Sequence, residues 1–274
     1  MPTIETRDGT HLYVKDWGSG RPVVLIHGWP LSSASWDPIS HALAEAGNRV
    51  IAYDRRGFGR SDQPAGGYDY DTFADDLADV MARCNLENDV ALVGFSMGGG
   101  EVARYMSRHA GKKIRSAALI SSVVPFMLRT PDNPNGVEQS KFDEMAAGIS
   151  EDRPHFMRGF LHDFFGVGVL LAPVSNDVLE ASWLMCMQAG LLPTLQAAKA
   201  FSTTDFRPDL AAIRVPTLIV HGSSDATVPI DATARAAARA ISGATLIEYE
   251  GSPHGIFATD RQRLIADLQG WLAR

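Results

Sequence analysis

The hexapeptide Gly94-Phe95-Ser96-Met97-Gly98-Gly99 holds a serine with a glycine two residues away on each side. Residues 89–93 before it form an apolar run short enough for a buried strand, and residues 101–108 after it have a helical pattern. A serine between a strand and a helix can occupy a sharp, strained turn, because small flanking residues remove the clashes that such a turn creates. The same pattern also arises by chance in ordinary glycine-rich turns. Ser96 is therefore a candidate nucleophile whose role depends on partners elsewhere in the chain.

Strands and helices alternate outward from this turn in both directions. Towards the N-terminus the sequence predicts a hairpin at residues 3–17, strands at 22–26 and 49–53, and helices at 35–47 and 73–84. Towards the C-terminus it predicts strands at 117–120, 215–220 and 244–249, and helices at 230–241 and 260–272. Thr72, with Asp75 three residues later, has the spacing of a helix start. The alternation implies right-handed crossovers and predicts an α/β protein with a mostly parallel sheet and helices on both faces.

Between residues 126 and 205 this alternation is interrupted. Four helices are predicted in this block, at residues 142–149, 153–165, 177–190 and 192–201. The block is rich in phenylalanine and methionine, which suits a helical lid over an apolar pocket, although most such side chains simply pack a helix onto its neighbours. We therefore expect a core formed by residues 1–125 and 206–274, and a helical cap formed by residues 126–205.

The composition excludes several classes of protein. A net charge of −7 with scattered lysines and arginines argues against a nucleic-acid partner. The two cysteines, Cys84 and Cys186, lie among apolar residues and are predicted to be buried free thiols. No apolar run approaches the roughly 18 residues that suggest a membrane span, and the N-terminal residues lack a signal pattern. The expectation is a soluble cytoplasmic protein with no membrane partner.

Polar residues that can act together follow several of the predicted strands. In a parallel sheet the carboxyl ends of the strands meet at one edge, where ligands bind. A serine hydroxyl needs a neighbouring base, which histidine supplies near neutral pH, and an acid on the far side of the ring fixes the tautomer. Ser96, Asp225 and His254 follow strands in the chain order that this architecture requires. We therefore expect these three residues to form a catalytic triad.

Other polar residues at strand ends compete for these roles. His27 and His221 each precede a glycine, and we expect them to hydrogen-bond neighbouring loops rather than act as bases or ligands. Asp54 is the rival acid, but it opens the loop Arg55-Arg56-Gly57 and is interpreted as a structural residue. No metal-ligand spacing and no dinucleotide fingerprint is present, so neither a metal nor a cofactor is predicted.

Taken together, the sequence resembles an α/β-hydrolase, and more narrowly the cofactor-free (non-haem) haloperoxidases with their arylesterase and γ-lactamase relatives. The resemblance is carried by His27-Gly28-Trp29-Pro30, Asp54 to Ser61, Tyr68 to Leu77, Leu92 to Glu101, Thr204 to Asp209 and Pro253-His254-Gly255. It covers essentially the whole chain, most firmly the core. The resemblance implies Ser96 as nucleophile, Asp225 as orienting acid and His254 as base. It also implies an oxyanion hole formed by the backbone N–H groups of Trp29 and Met97.

The predicted activity is that of a serine hydrolase acting on small esters through an acyl-enzyme, with perhydrolase (cofactor-free haloperoxidase) side activity. Its partner would be a small-molecule ester, lactam or carboxylic acid. We expect Pro30 to direct the Trp29 carbonyl towards attacking peroxide, unless it only stiffens the loop. The alternatives are a γ-lactamase or amidase, a C–C bond hydrolase or hydroxynitrile lyase with the same triad, or a ligand receptor. The sequence shows no interface, and leaves a homo-oligomer open.

Overall fold

Eight strands form one sheet in the computed structural model, which describes residues 3–168 and 171–274. They are β1 (Thr3–Glu5), β2 (His11–Gly18), β3 (Arg21–Ile26), β4 (Asn48–Tyr53), β5 (Val90–Phe95), β6 (Ile114–Ile120), β7 (Thr217–Gly222) and β8 (Thr245–Tyr249). The order across the sheet is β1-β2-β4-β3-β5-β6-β7-β8. β1 and β2 pair antiparallel, as does β2 with β4, and the remaining pairs are parallel. The predicted α/β class and mostly parallel sheet are confirmed.

The strand β5, which leads directly into Ser96, is buried along its whole length. All six of its residues are buried, and it pairs with β3 on one side and β6 on the other, with Val24 opposite Leu92 and Ala117 opposite Leu92. A strand covered on both faces by helices is expected to be apolar throughout, and this one is. The predicted N-terminal hairpin is also present, closed by a hydrogen bond from the Thr6 N–H to the Thr10 carbonyl at 2.9 Å.

In the described part of the chain the helices form two layers, one on each face of the sheet, and an insertion. The helices are α1 (Asp37–Glu45), α2 (Tyr70–Arg83), α3 (Met97–Arg108), α4 (Gln139–Phe165), α5 (Asn176–Gln188), α6 (Leu191–Thr203), α7 (Ala234–Ala240), α8 (Ile256–Thr259) and α9 (Arg261–Leu272). α1 packs against α9 and α2 packs against α3, so that both faces of the sheet are covered. Short 3₁₀ turns at Ser33–Trp36 and Arg207–Ala212 complete the connections.

The block between β6 and β7 contains α4, α5 and α6, and α4 packs against both of the others. α4 breaks at Asp152, whose backbone is not helical (φ −148°, ψ 80°), and the Asp152 carboxylate accepts the His155 N–H at 3.0 Å. The two helices predicted on either side of residue 152 are thus present, with Pro154 in the first turn of the second, where its missing N–H costs no hydrogen bond. The division into a core and a cap stays our prediction.

Within residues 3–168 and 171–274, no single helix is long and apolar enough to cross a membrane. α5 and α6 together have the necessary length and apolar composition, but a bend of 100° separates them. Cys84 and Cys186 are both buried and free, as predicted. Burial raises the pKa of the Cys84 thiol to about 11 and that of the Cys186 thiol to about 12.

Two predicted helix starts are wrong, each because a side chain forms a different local bond. α2 is capped by Asp69, whose carboxylate accepts the Thr72 N–H at 2.9 Å, while Asp75 instead binds Arg108. Aspartate is among the preferred N-cap residues, so the helix begins two residues before Thr72. α7 begins at Ala234 rather than at residue 230, because the Thr233 hydroxyl bonds the Pro229 carbonyl and the Thr233 backbone is not helical.

Candidate active site

Ser96 lies at the junction of β5 and α3 in a strained backbone conformation. Its φ of 53° and ψ of −117° lie in a region that non-glycine residues rarely occupy, and such strain concentrates at functional sites. The Ser96 N–H donates to the Ile120 carbonyl at 2.8 Å, which continues the ladder between β5 and β6. A Cβ on Gly98 would lie only 2.5 Å from the Ile26 carbonyl oxygen. The glycine therefore allows α3 to approach β3 closely enough for the turn to form.

The structure brings Ser96, Asp225 and His254 together from three separate strand ends. The Ser96 Oγ lies 2.9 Å from His254 Nε2, and His254 Nδ1 lies 2.6 Å from Asp225 Oδ2. All three residues are more than 90% buried. Because a carboxylate can only accept, the proton on the His254 ring lies on Nδ1, which leaves Nε2 free to accept the serine proton.

The Asp225 carboxylate is held by several donors at once. Its Oδ1 accepts the N–H groups of Thr227 at 3.0 Å and Val228 at 2.7 Å. Its Oδ2 faces His254 at 2.6 Å and His221 at 3.1 Å. Burial alone would raise the pKa of Asp225, but the two facing imidazoles and their hydrogen bonds lower it below its usual value. Asp225 therefore remains ionised at neutral pH.

The competing residues lie nearby but contact different partners. The His27 ring bonds backbone through both nitrogens: Nδ1 donates to the Gly28 carbonyl at 2.9 Å, and Nε2 accepts the Arg55 N–H at 3.0 Å. Asp54 accepts the N–H groups of Ser33 and Arg60, each at 2.8 Å, as expected for a structural residue of its loop. His221 donates to the Val228 carbonyl at 2.9 Å, as a loop-binding role predicts, but it also contacts Asp225, which the sequence pattern did not predict.

Two backbone N–H groups near Ser96 have no acceptor within the part of the chain that the structure describes. Among the hydrogen bonds formed by the described residues, neither the N–H of Trp29 nor that of Met97 has a partner. The Trp29 loop lies against the serine, since a Cβ on Gly28 would be 2.9 Å from the Ser96 Cβ. The Trp29 indole is anchored by donating to the Thr194 carbonyl of α6 at 2.9 Å, and the Trp29–Pro30 peptide bond is cis.

A cavity of about 60 Å³ opens beside Ser96 and His254. Its other lining residues are Trp29, Val123, Met127, Phe142, Met145, Phe160, Phe201, Thr227 and Val228. Among the large apolar residues that mark the inserted block in the sequence, Met127 and Phe160 reach this cavity. Phe164 instead packs its edge on the His254 ring, with ring centroids 4.8 Å apart. Phe142, Met145 and Phe201 of the same block also line the cavity, although their spacing on amphipathic helices is that of ordinary packing residues.

Comparison with known proteins shows the family of this chain. A family model described as the α/β-hydrolase fold matches residues 21–168, which include Trp29 and Ser96. The chain belongs to the α/β-hydrolase family. This hydrolase is 44% identical to a non-haem chloroperoxidase of Kitasatospora aureofaciens, over 99% of each chain. It is 38% identical to a bifunctional esterase/perhydrolase of Acinetobacter calcoaceticus, again over 99% of each.

The likeness extends to solved structures. The hydrolase superimposes on the crystal structure of a bromoperoxidase from Bacillus anthracis with a TM-score of 0.96, at 41% identity, over 100% of this chain and 99% of that one. The α/β-hydrolase fold and the narrower resemblance to non-haem haloperoxidases, both predicted from sequence, are confirmed.

Proposed function

We propose that this hydrolase is a serine carboxylesterase that cleaves small esters through an acyl-enzyme and also transfers the acyl group to hydrogen peroxide. The observation that carries the proposal is the line of contacts from Ser96 Oγ through the His254 ring to Asp225, at 2.9 and 2.6 Å. The likeness to enzymes named chloroperoxidase and esterase/perhydrolase supports the same chemistry, and favours it over lactam or C–C bond hydrolysis.

In the first half-reaction Ser96 attacks the ester carbonyl carbon. His254 Nε2 takes the hydroxyl proton as the Oγ–C bond forms, and returns it to the departing alkoxide. The ionised Asp225 stabilises the imidazolium that exists between these steps. The developing oxyanion accepts hydrogen bonds from the free N–H groups of Trp29 and Met97, and one such donor contributes roughly 3–4 kcal/mol to transition-state stabilisation.

The second half-reaction releases the acyl group. Water, activated by His254, gives a carboxylic acid, whereas hydrogen peroxide at the same position gives a peracid and regenerates the Ser96 hydroxyl. When a carboxylic acid rather than an ester acylates Ser96, the net reaction converts the carboxylic acid and hydrogen peroxide into a peracid and water. The peracid then oxidises halide outside the protein. The Trp29 carbonyl, directed by Pro30, would accept a hydrogen bond from the attacking peroxide.

The cavity beside Ser96 favours short substrates. At about 60 Å³ it has room for about two water molecules at their liquid volume of roughly 30 Å³ each, which suits a small acyl group. Its wall is aromatic and aliphatic, with Trp29 packed against Phe160 and Phe201 at centroid distances of 5.3 and 5.5 Å. Such a wall binds uncharged groups and excludes bulk water from the acyl-enzyme.

The nucleophile is tested with Ser96→Ala, assayed with p-nitrophenyl acetate and with acetate plus peroxide. Loss of the triad serine is expected to lower kcat by roughly 10⁶-fold, and to abolish both activities together. Ser140→Ala, which changes an exposed serine on α4, is the matched control and should behave as wild type. Full esterase activity in Ser96→Ala would overturn the proposal.

The acceptor is tested separately with Pro30→Leu. If Pro30 directs the Trp29 carbonyl towards peroxide, the ratio of perhydrolysis to ester hydrolysis should change in this variant. An unchanged ratio would mean that Pro30 only stiffens the loop. The ester hydrolysis rate of the same preparation serves as the internal reference.

A further inference from the structure

A surface groove lies between α4 and α6, next to the active-site cavity. Its volume is about 420 Å³, seven times that of the inner cavity and within the roughly 300–1,000 Å³ range of small-molecule sites. Its floor is apolar, with Ala146, Leu195 and Ala198, and exposed polar residues such as Asp143 and Lys199 form its rim. An apolar floor with a wet rim suits an unbranched hydrocarbon chain.

Two side chains separate the groove from the inner cavity. Phe142 and Met145 line both spaces. Phe142 is buried and packs against Phe201, with ring centroids 6.4 Å apart, whereas Met145 is only half-buried. Methionine is unbranched and has three rotatable bonds, so the half-buried Met145 side chain changes shape more readily than the buried ring of Phe142. Met145 is therefore the movable part of the wall.

We propose that this groove binds the alkyl chain of a longer ester whose carbonyl lies at Ser96, and that Met145 controls passage between the two spaces. The inference rests on the proposed function. It extends the substrate class from short esters to amphiphilic esters of medium chain length. The alkyl chain in the groove is part of either the acyl group or the alcohol of the ester. Two series of substrates, one for each part, distinguish these two cases.

The test compares kcat/KM for p-nitrophenyl octanoate and p-nitrophenyl acetate, and likewise for octyl acetate and ethyl acetate. Leu195→Trp fills the groove floor. In one of the two series it should lower the ratio of kcat/KM for the long ester to kcat/KM for the short ester by roughly tenfold, which corresponds to lost contact with about two methylene groups. Met145→Ala should raise the same ratio. Leu184→Trp, an equally bulky change at an exposed position on α5 outside both spaces, should leave it unchanged.

The ratio is measured within one preparation, so partial loss of folded protein does not alter it. A change in the acyl series places the acyl chain in the groove, and a change in the alcohol series places the alcohol there. Unchanged ratios in both series, for Leu195→Trp and Met145→Ala alike, would overturn the inference. Failure of the proposed function would look different, since acetate turnover would then not depend on Ser96.

A second, independent observation concerns His221, which is fully buried at the end of β7. Because the Val228 carbonyl can only accept, Nε2 carries the ring proton, and it lies 2.9 Å from that carbonyl and 3.1 Å from Asp225 Oδ2. Its Nδ1 is buried without a hydrogen-bond partner among the described residues. An unpaired buried acceptor is unfavourable, so the favourable polar contacts of this ring are those of Nε2 alone.

We infer that His221 is a positioning residue that fixes Asp225 Oδ2 for its bond to His254. Two imidazoles share this one oxygen, while Oδ1 is occupied by the N–H groups of Thr227 and Val228. The carboxylate is thereby prevented from rotating away from His254. This inference also rests on the proposed roles of Asp225 and His254.

Three substitutions at position 221 separate this role from a packing role. The Gln amide reaches the position of Nε2 and retains the donor, the Asn amide reaches only the position of Nδ1, and Leu has no donor. His221→Leu and His221→Asn should lower kcat roughly tenfold with KM unchanged, and His221→Gln should restore most of it. The downfield proton resonance of His254 Nδ1–H should shift in the first two variants only.

Either of two results would overturn the role of His221. One is wild-type kcat in His221→Leu. The other is an equal loss in His221→Gln and His221→Leu with the His254 resonance unmoved, which would show a packing role. If Asp225 and His254 do not form the proposed triad, the failure appears instead as full activity of a His254→Ala variant.

Discussion

The loop after β3 and the loop after β8 each present a buried histidine followed by glycine, His27 and His254, yet the two rings have opposite surroundings. His27 is fully buried, bonds backbone through both nitrogens, and lies beside the Arg55 guanidinium, whose Nη2 donates to the His27 carbonyl at 2.8 Å. His254 faces a carboxylate through one nitrogen and a hydroxyl through the other. Burial, and then the Arg55 charge, lower the pKa of His27 to about 3.

Both rings are buried, which by itself disfavours the protonated form, so the partners of each ring decide whether it can act as a base. A ring beside a cation cannot accept a proton near neutral pH, and the His27 ring instead ties the Trp29 loop to Arg55. A ring beside an ionised carboxylate can hold a proton between two steps of a reaction. The same residue type thus positions one part of the site and performs the proposed proton transfer in another.

The substitution His254→Ala tests the difference between His27 and His254 with the largest expected effect. Removing the base should lower kcat for p-nitrophenyl acetate by roughly 10⁶-fold, because Ser96 then loses its proton acceptor. Steady-state and single-turnover kinetics measure the loss, and circular dichroism checks the fold. Retention of substantial activity would mean that another group, such as His27, serves as the base.

Asp225→Asn is expected to have the next largest effect. The amide can offer its N–H to His254 and favour the wrong tautomer, so kcat should fall by roughly 10⁴-fold. The matched variant is Asp54→Asn, which changes a buried carboxylate at the end of β4 that does not contact His254. A larger activity loss in Asp54→Asn than in Asp225→Asn would show that Asp54, and not Asp225, is the orienting acid.

His27→Leu should affect stability instead of chemistry. The buried Arg55 N–H loses its acceptor, and the free energy of unfolding should fall by about 1–3 kcal/mol. Urea unfolding at neutral pH measures this change. The kcat of the folded fraction should change far less than in His254→Ala, and a comparable loss in the two variants would contradict the comparison.

The smallest expected effect is a difference between wild type and His27→Gln in how the free energy of unfolding depends on pH. The folded protein holds His27 neutral down to about pH 3, whereas an unfolded histidine titrates near pH 6.5, so this stabilisation is complete above about pH 6.5 and is lost as the pH falls. The contribution falls by up to about 1.4 kcal/mol per pH unit. Urea unfolding at pH 7 and pH 5 should therefore show a weaker pH dependence for His27→Gln than for wild type. Equal pH dependence in the two proteins would contradict the neutral state of His27.

The sequence predicted the fold and the grouping of polar residues at one sheet edge, since both follow from apolar periodicity and chain order. Ser96, Asp225 and His254 could be selected because each ends a predicted strand. The contact between His221 and Asp225 could not be predicted, because side-chain direction at a strand end is not encoded in spacing. Phe142 and Met145 were missed for a related reason, as a helix face that lines a cavity has the same apolar pattern as one that packs. The start of α2 could not be predicted from the spacing of Thr72 and Asp75, because Asp75 binds Arg108 and Asp69 caps the helix instead.

The buried cysteines have a consequence for the proposed reaction with peroxide. Peroxides oxidise the thiolate rather than the thiol, and oxidation beyond the sulfenic acid is irreversible. With pKa values of about 11 and about 12, Cys84 and Cys186 are almost wholly protonated at neutral pH, and both are buried. The chain therefore presents no ready thiol target, and its durability in oxidant should be set by other side chains.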